Sequence, residues 1–305
     1  MKKAIIDLGT NTCNLLIAES NDKSNYILHT SKVEVKLGKG GINNNRLTKE
    51  ATKRAVHALN THLKSMKSYG KIDSINVIAT SAVRDARNKV EFVQEIKKIT
   101  GLELNIISGE KEAEYIFEGV KFALGKIPDG GLIMDIGGGS NEFIIVKDNR
   151  IVWKQSFPTG IARVVERFPI SDPISDLEYQ EIMSWFDKNM QELWEQGKTH
   201  EISTLIGCSG TFDTLVDTID GVKPNCKFRK AQHISQIDFN RICSQLVNST
   251  LLERLGMDTM EQMRVEMIVP AMLLIQLVMR KFSIQNIIQT DYSLKEGVFS
   301  SFINL

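Results

Sequence analysis

The N-terminal residues carry their hydrophobic positions in two short runs broken by a polar turn. Residues 4–19 read AIIDLGTNTCNLLIAE: an apolar run, an Asp-x-Gly turn and a second apolar run, the pattern of a β-hairpin. The pattern returns at residues 132–147, LIMDIGGGSNEFIIVK. Laid together without a gap, Asp7 falls on Asp135, Gly9 on Gly137, Thr12 on Ser140 and Asn14 on Glu142. Such a repeat predicts two related halves, each opening with a hairpin.

The elements after each copy agree with this. After the first, residues 26–36 read as a third strand, and Lys49–Met66 as a helix with Val56, Leu59, Leu63 and Met66 on one face. A strand (75–80), a helix (89–100), a strand (103–107) and a helix (110–124) complete the first half. After the second copy come a strand (151–157), a long helix (177–194), a strand (204–207), an apolar helix (257–282) and a strand (286–289). Strands alternating with helices predict largely parallel sheets, here preceded by antiparallel hairpins. Gly, Pro and Asp cluster at 125–130, which places a boundary there. The expected fold is α/β, with domains 1–124 and 125–305 flanking a cleft and a last helix free to pack back on the first domain.

Composition narrows the function. Hydrophobic residues are 42% and charged residues 25% of 305, and 38 Lys plus Arg against 37 Asp plus Glu leave a net charge of +1. Neither nucleic acid nor a membrane surface is expected as partner, since both call for a lasting basic excess. Any anion binding must come from local geometry. Asp7 stands where a signal peptide would need an apolar run. The longest apolar stretch, 268–279, contains Pro270 and Gln276 and is too short to span a bilayer. Cys13, Cys208, Cys226 and Cys243 lie far apart without metal-ligand spacing, which reads as reduced thiols in the cytoplasm.

Asp135-Ile136-Gly137-Gly138-Gly139-Ser140 sets three consecutive glycines between two strands. Without β-carbons their N–H groups can cradle an anion, and Asp135 can face a Mg²⁺ that accompanies it. The plainer reading is a glycine-rich hairpin turn. The first copy, Asp7-Leu8-Gly9-Thr10-Asn11-Thr12, keeps the Asp and one Gly and adds donors suited to phosphate oxygens. A third turn, Gly207-Cys208-Ser209-Gly210-Thr211, is either an anion-binding helix start or a strand-to-helix turn with Thr211 as N-cap. Arg84 can fork two phosphate oxygens or pair with Asp85. Glu112, in the first turn of its helix, complements the helix dipole or serves as general base on a water.

Together, IIDLGTNT, ATSAVRDARN, ISGEKEAEYIFEGV, IMDIGGGSNEF, FPTGIARVVERF and IGCSGTFDTL resemble, in order, exopolyphosphatases and guanosine pentaphosphate phosphohydrolases, from about Ala4 to Gly297. The resemblance implies two duplicated actin-like, ribonuclease H-like lobes, as in the acetate and sugar kinase, heat-shock chaperone and actin superfamily. It implies hydrolysis of a terminal phosphoanhydride of polyphosphate or pppGpp by a homodimer, with Glu112 as base and Arg84 anchoring the chain. Asp135 and Glu142 would surround Mg²⁺ or another divalent cation, with Asp7 assisting through the ion or its waters. Gly9, Thr10, Asn11 and Thr12, Gly137, Gly138, Gly139 and Ser140, and Ser209, Gly210 and Thr211 would hold phosphate oxygens. Such a transfer asks for positioning and charge neutralisation more than covalent chemistry.

Two departures stand out: Lys111 replaces the first glutamate of the family's Gly-x-Glu-Glu-Ala motif, and Glu114 replaces the arginine after its alanine. The extra helical domain of longer relatives does not follow the second half, which favours shorter polyphosphates. Two rivals share the phosphate turns. An ATP-dependent kinase would add an adenosine pocket, and an alarmone sensor would bind without turnover. A filament-forming role has no polymerising surface to recommend it.

Overall fold

The computed structural model describes residues 1–21 and 24–303. The end of the expected second domain, residues 304–305, lies outside them. In the first lobe β1 (Lys2–Leu8), β2 (Thr12–Asn21) and β3 (Ser24–Glu34) form an antiparallel meander. Then come α1 (Lys49–Met66), β4 (Ser74–Ala79), the short α2 (Ser81–Arg84), α3 (Lys89–Thr100), β5 (Leu104–Ile106) and α4 (Gly109–Leu124). The sheet order is β3-β2-β1-β4-β5, with β4 parallel to both β1 and β5.

The second lobe repeats the plan. β6 (Gly131–Ile136), β7 (Asn141–Lys147) and β8 (Arg150–Phe157) form its meander, followed by α5 (Ile161–Arg167), α6 (Asp176–Asn189) and α7 (Gln191–Thr199). β9 (Thr204–Cys208), α8 (Gly210–Asp220), β10 (Gln232–Ile234), α9 (Gln236–Val247), α10 (Leu251–Leu255), α11 (Ile268–Phe282), β11 (Asn286–Thr290) and α12 (Leu294–Ile303) complete it. Its sheet runs β8-β7-β6-β9-β11, the order of the first lobe, with β10 added antiparallel at the edge. The duplication read from sixteen-residue repeats is thus a duplication of topology.

Central strands are covered on both faces, so they read as apolar runs rather than alternating ones; Leu15, Leu16, Ile17 and Ala18 are all buried. α1 starts where Thr48 accepts a hydrogen bond from the Ala51 N–H. Leu59 and Met66 are interior on that helix, while Val56 and Leu63 pack half-buried beside the small residues Ala51, Ala55 and Ala58.

Three elements differ from expectation. The predicted helix 177–194 is two helices: the Asn189 side chain donates to the Trp185 carbonyl at 2.7 Å and ends α6. The predicted helix 257–282 begins only at Ile268. Pro270 is tolerated in a first helical turn but not in an interior, so the helix cannot start much earlier. α11 is also buried along most of its length, which makes it core rather than interface. Finally, Thr211 is not an N-cap; Ser209 holds that position in α8.

The two lobes exchange helices. α4 follows the first lobe's sheet yet packs on β7 and β8 of the second; α12 follows the second lobe's sheet and packs on β1 and β2 of the first. Ile5, Leu16 and Ile78 of one sheet, Ile133, Ile144 and Ile206 of the other, and Ile116, Phe117, Val298 and Phe299 of the two helices make one shared core. α4 and α12 cross at two glycines: a β-carbon at Gly119 would lie 2.0 Å from the Ser293 carbonyl oxygen, and one at Gly297 would lie 1.7 Å from that of Tyr115. No other residue allows this approach.

Candidate functional site

The turns between paired strands meet where the lobes face each other. Gly9 N–H donates to the Thr12 carbonyl at 2.9 Å, and Gly137 N–H to that of Ser140 at 3.1 Å, so both copies close alike. They also dock on each other. A β-carbon at Gly139 would lie 2.5 Å from both the Thr10 and the Ser81 hydroxyls, so only glycine lets the second turn come this close. Between them lies a cavity of about 150 Å³, lined by Asp7, Gly9, Thr10, Asn11, Thr12, Glu112, Asp135, Gly137, Gly138, Gly139, Ser140, Glu142, Ser209 and Gly210.

Two predicted residues stand apart from that lining. Thr211 is buried within the first turn of α8, behind the wall that Ser209 and Gly210 form. Ser209 itself takes φ 76° and ψ 171°, a strained backbone for a residue with a side chain, which turns the start of α8 toward the cavity. Arg84 lies at the junction with a second cavity, but its guanidinium reaches in. Nη1 donates to Glu112 Oε2 at 2.6 Å and Nη2 to Ser140 Oγ at 3.4 Å.

The carboxylates are buried together, and that governs their chemistry. Glu112, at 7% exposure on the first turn of α4, is pushed well above the usual range, first by burial and then by Glu142; Arg84 opposes the shift. Burial and the neighbouring Asp135 lift Glu142 to about 7, although it accepts hydrogen bonds from Ser140 Oγ at 2.7 Å and Ser156 Oγ at 2.6 Å. Burial also raises Asp7 to about 6, against a 3.0 Å hydrogen bond from Asn14 Nδ2. Asp135 is raised by burial too, and accepts from the Ser293 hydroxyl.

Side chains outside the three turns also line the cavity, among them Asn14, Lys32, Ser81, Asp213, Arg264, Asp291, Ser293 and Lys295. Lys32, on β3, reaches across to Glu261 of the second lobe at 2.9 Å. Burial works against the charge on Lys295, but Glu296, Asp7 and Asp213 outweigh it and raise its pKa. Burial, then Asp291, raises Asp213 to about 7.

Among the described residues no three His, Cys, Asp or Glu side chains form a metal cage of their own. Buried carboxylates that repel one another beside glycine-bearing turns nevertheless suit a cation such as Mg²⁺, which takes one or two carboxylates and fills the rest with phosphate oxygens and water. The departures on α4 lie elsewhere. Lys111 and Glu114 pair at 2.9 Å on the helix's outer face, and Glu114 also meets Lys154 at 2.5 Å.

A model of the Ppx/GppA phosphatase family matches residues 16–304. The crystal structure of an exopolyphosphatase from Cytophaga hutchinsonii is 37% identical, covers 100% of this chain and 98% of that one, and superposes with a TM-score of 0.93. The Aquifex aeolicus member of the Ppx/GppA family is 25% identical, with coverage of 100% and 98% and a TM-score of 0.80. A bifunctional 3-dehydroquinate synthase/phosphatase from Fusobacterium nucleatum is 34% identical over 225 residues, 70% of this chain and only 33% of that longer protein. No helix among the described residues is long and apolar enough to cross a membrane. With duplicated turns, acidic cavity and matched length in agreement, the chain belongs to the Ppx/GppA phosphatase family.

Proposed function

We propose that this chain is an exopolyphosphatase: it hydrolyses the terminal phosphoanhydride of inorganic polyphosphate and releases orthophosphate. The observation that carries this reading is a cavity that pairs Glu112 and Arg84 with three glycine-bearing turns, while none of the described residues lining it is aromatic. A guanine or adenine would call for a flat apolar surface on which to stack. The described lining is mostly amides, hydroxyls and charge, with Ile116, Ile136 and Leu294 as its aliphatic side chains, which favours a bare phosphate chain over pppGpp and over the ATP of a kinase.

In this reading the three turns seat the terminal phosphate oxygens and Arg84 neutralises them. Glu112 takes a proton from a water whose oxygen attacks the terminal phosphorus. The bridging P–O bond breaks, and its electrons leave with the shortened chain. Burial suits Glu112 to this work, because a carboxylate held above its usual range is a stronger base toward a water proton. Asp135 and Glu142 would hold a Mg²⁺ ion, with Asp7 reaching it through water, and the ion would neutralise charge on the phosphate. A sensor that only bound polyanions would gain little from carboxylates in its cavity unless a metal stood between them. The free thiols Cys13, Cys208, Cys226 and Cys243 suit the cytoplasm.

The test is Mg²⁺-dependent phosphate release from polyphosphate, with pppGpp and ATP in parallel. Glu112→Gln is expected to lower kcat by about 10²–10⁴-fold. Faster release from pppGpp would transfer the reading to a guanosine pentaphosphate phosphohydrolase. Binding without release from any of the three would transfer it to a sensor.

A further inference from the structure

Arg163 lies in the segment FPTGIARVVERF, to which the hydrolytic reading gives no part. It is 8% exposed, and each nitrogen of its guanidinium has a partner. Nε donates to the Gly139 carbonyl at 2.7 Å, Nη1 to the Ile42 carbonyl at 3.0 Å, and Nη2 to Asp85 Oδ2 at 2.8 Å. Gly139 belongs to the second lobe's phosphate turn, while Ile42 and Asp85 belong to the first lobe. One planar fork therefore ties that turn to the opposite lobe from behind.

The Asp85 end of the fork bears on the site. Asp85 also accepts from Ser81 Oγ at 3.1 Å, and its other oxygen lies 3.6 Å from Arg84 Nε. Arg84 therefore stands between two carboxylates, Glu112 at 2.6 Å and Asp85. With Arg163 engaged, Asp85 is held by its other oxygen and Arg84 stays on Glu112 and Ser140. Without Arg163, a half-buried carboxylate would lose its strongest partner and draw Arg84 toward itself.

We propose that Arg163 is a positioning residue: it fixes the spacing between the two phosphate turns and keeps Asp85 from pulling Arg84 off Glu112. The kinetic part of this proposal rests on the hydrolase reading; the spacing part does not. α5 has other ties to the first lobe. Asn43 Nδ2 donates to the Arg163 carbonyl at 3.2 Å and the Asn43 N–H to Glu166 at 3.2 Å. Removing the fork should therefore loosen the turn without parting the lobes.

Turnover of polyphosphate by Arg163→Ala, Arg163→Lys, Asp85→Asn and the Arg163→Ala/Asp85→Asn double variant tests the kinetic part. Arg163→Ala should lose about 100-fold in kcat, with a smaller change in KM, because a misplaced group near the chemistry costs that much. Added guanidinium should restore part of the loss. The double variant should turn over faster than Arg163→Ala, since a neutral amide at position 85 no longer competes for Arg84. Arg163→Lys keeps the charge but not the fork, and should lose about tenfold; it also serves if the alanine variant fails to fold. Hydrogen exchange without substrate reads the spacing part: residues 137–142 should exchange faster in either Arg163 variant. Full turnover in Arg163→Lys, a double variant slower than Arg163→Ala, or unchanged exchange would overturn the proposal. A wild-type chain that hydrolyses none of the substrates would sink the hydrolase reading alone, and the exchange result would still decide the spacing.

Discussion

The turn from Asp7 to Thr12 and the turn from Asp135 to Ser140 close with the same backbone hydrogen bond, and the pair that each Asp makes across the ladder differs. On β1 and β2, Asp7 stands opposite Asn14, whose amide donates to it at 3.0 Å. On β6 and β7, Asp135 stands opposite Glu142, which takes its hydrogen bonds from Ser140 and Ser156 instead. The amide in the first lobe favours an ionised Asp7, whereas in the second lobe the Asp135 charge works against ionisation of Glu142. Duplication kept the turn, which depends on glycine and on strand register. It let the pair across the ladder diverge, which gave one lobe two carboxylates and the other a carboxylate with a neutral donor. In the proposed reading the second lobe would seat the cation and the first would bed the phosphate.

The comparison can be broken at either pair. Glu142→Gln makes the second turn electrically like the first, and should lower kcat by about 10²–10³-fold, the scale of a lost electrostatic stabiliser. The sign of its pH effect follows from Glu142 being a like charge that raises Glu112. Without it Glu112 ionises at lower pH, so the acid limb of the kcat profile should move down. Asn14→Asp makes the first turn like the second. It puts a further carboxylate into the cavity that Glu112 shares, and an added like charge works against ionisation of Glu112, so the acid limb should move up, with about a tenfold loss of kcat below it. Shifts in the same direction for both variants would show that the turns do not play different parts. The smallest effect is expected from Lys111→Glu, which restores the glutamate of the family motif on the outer face of α4. It breaks an exposed ion pair worth about 0–1 kcal/mol, so the melting temperature should barely move and kcat should hold. A large change in kcat would mean that the departures on α4, and not the two turns, set the activity.

Much of this was legible in the sequence, for a physical reason. Turns built on Asp-x-Gly keep their residues contiguous, so Asp7 through Thr12 and Asp135 through Ser140 could be placed on a cleft before any coordinates. Glu112 was legible because a helix start also follows a local signal, here Ser108 accepting from the Lys111 N–H. Lys32, Arg264 and Lys295 were not. They reach the cavity from elements far apart in the chain, and nothing local marks a side chain that matters only after the lobes close. Asn14 was seen in the alignment of the two repeats, but its role depends on the cross-strand register. The helix starting at Ile268 was overextended because an apolar pattern outweighed Pro270, whose position in the first turn was the better guide.

The exchange of α4 and α12 also has a consequence for synthesis. On the ribosome the chain emerges from its N-terminus, and the first lobe's strands can pair early. Yet Glu112 rides on a helix whose bed is the second lobe's sheet, and whose crossing partner holds Gly297. The inner faces of β1 and β2 wait for that same partner, with Ile5 and Leu16 bare until it arrives. A nascent chain stopped before residue 294 would thus carry every acidic residue of the described lining in its sequence without the means to assemble them, and would expose an apolar face for a chaperone to cover.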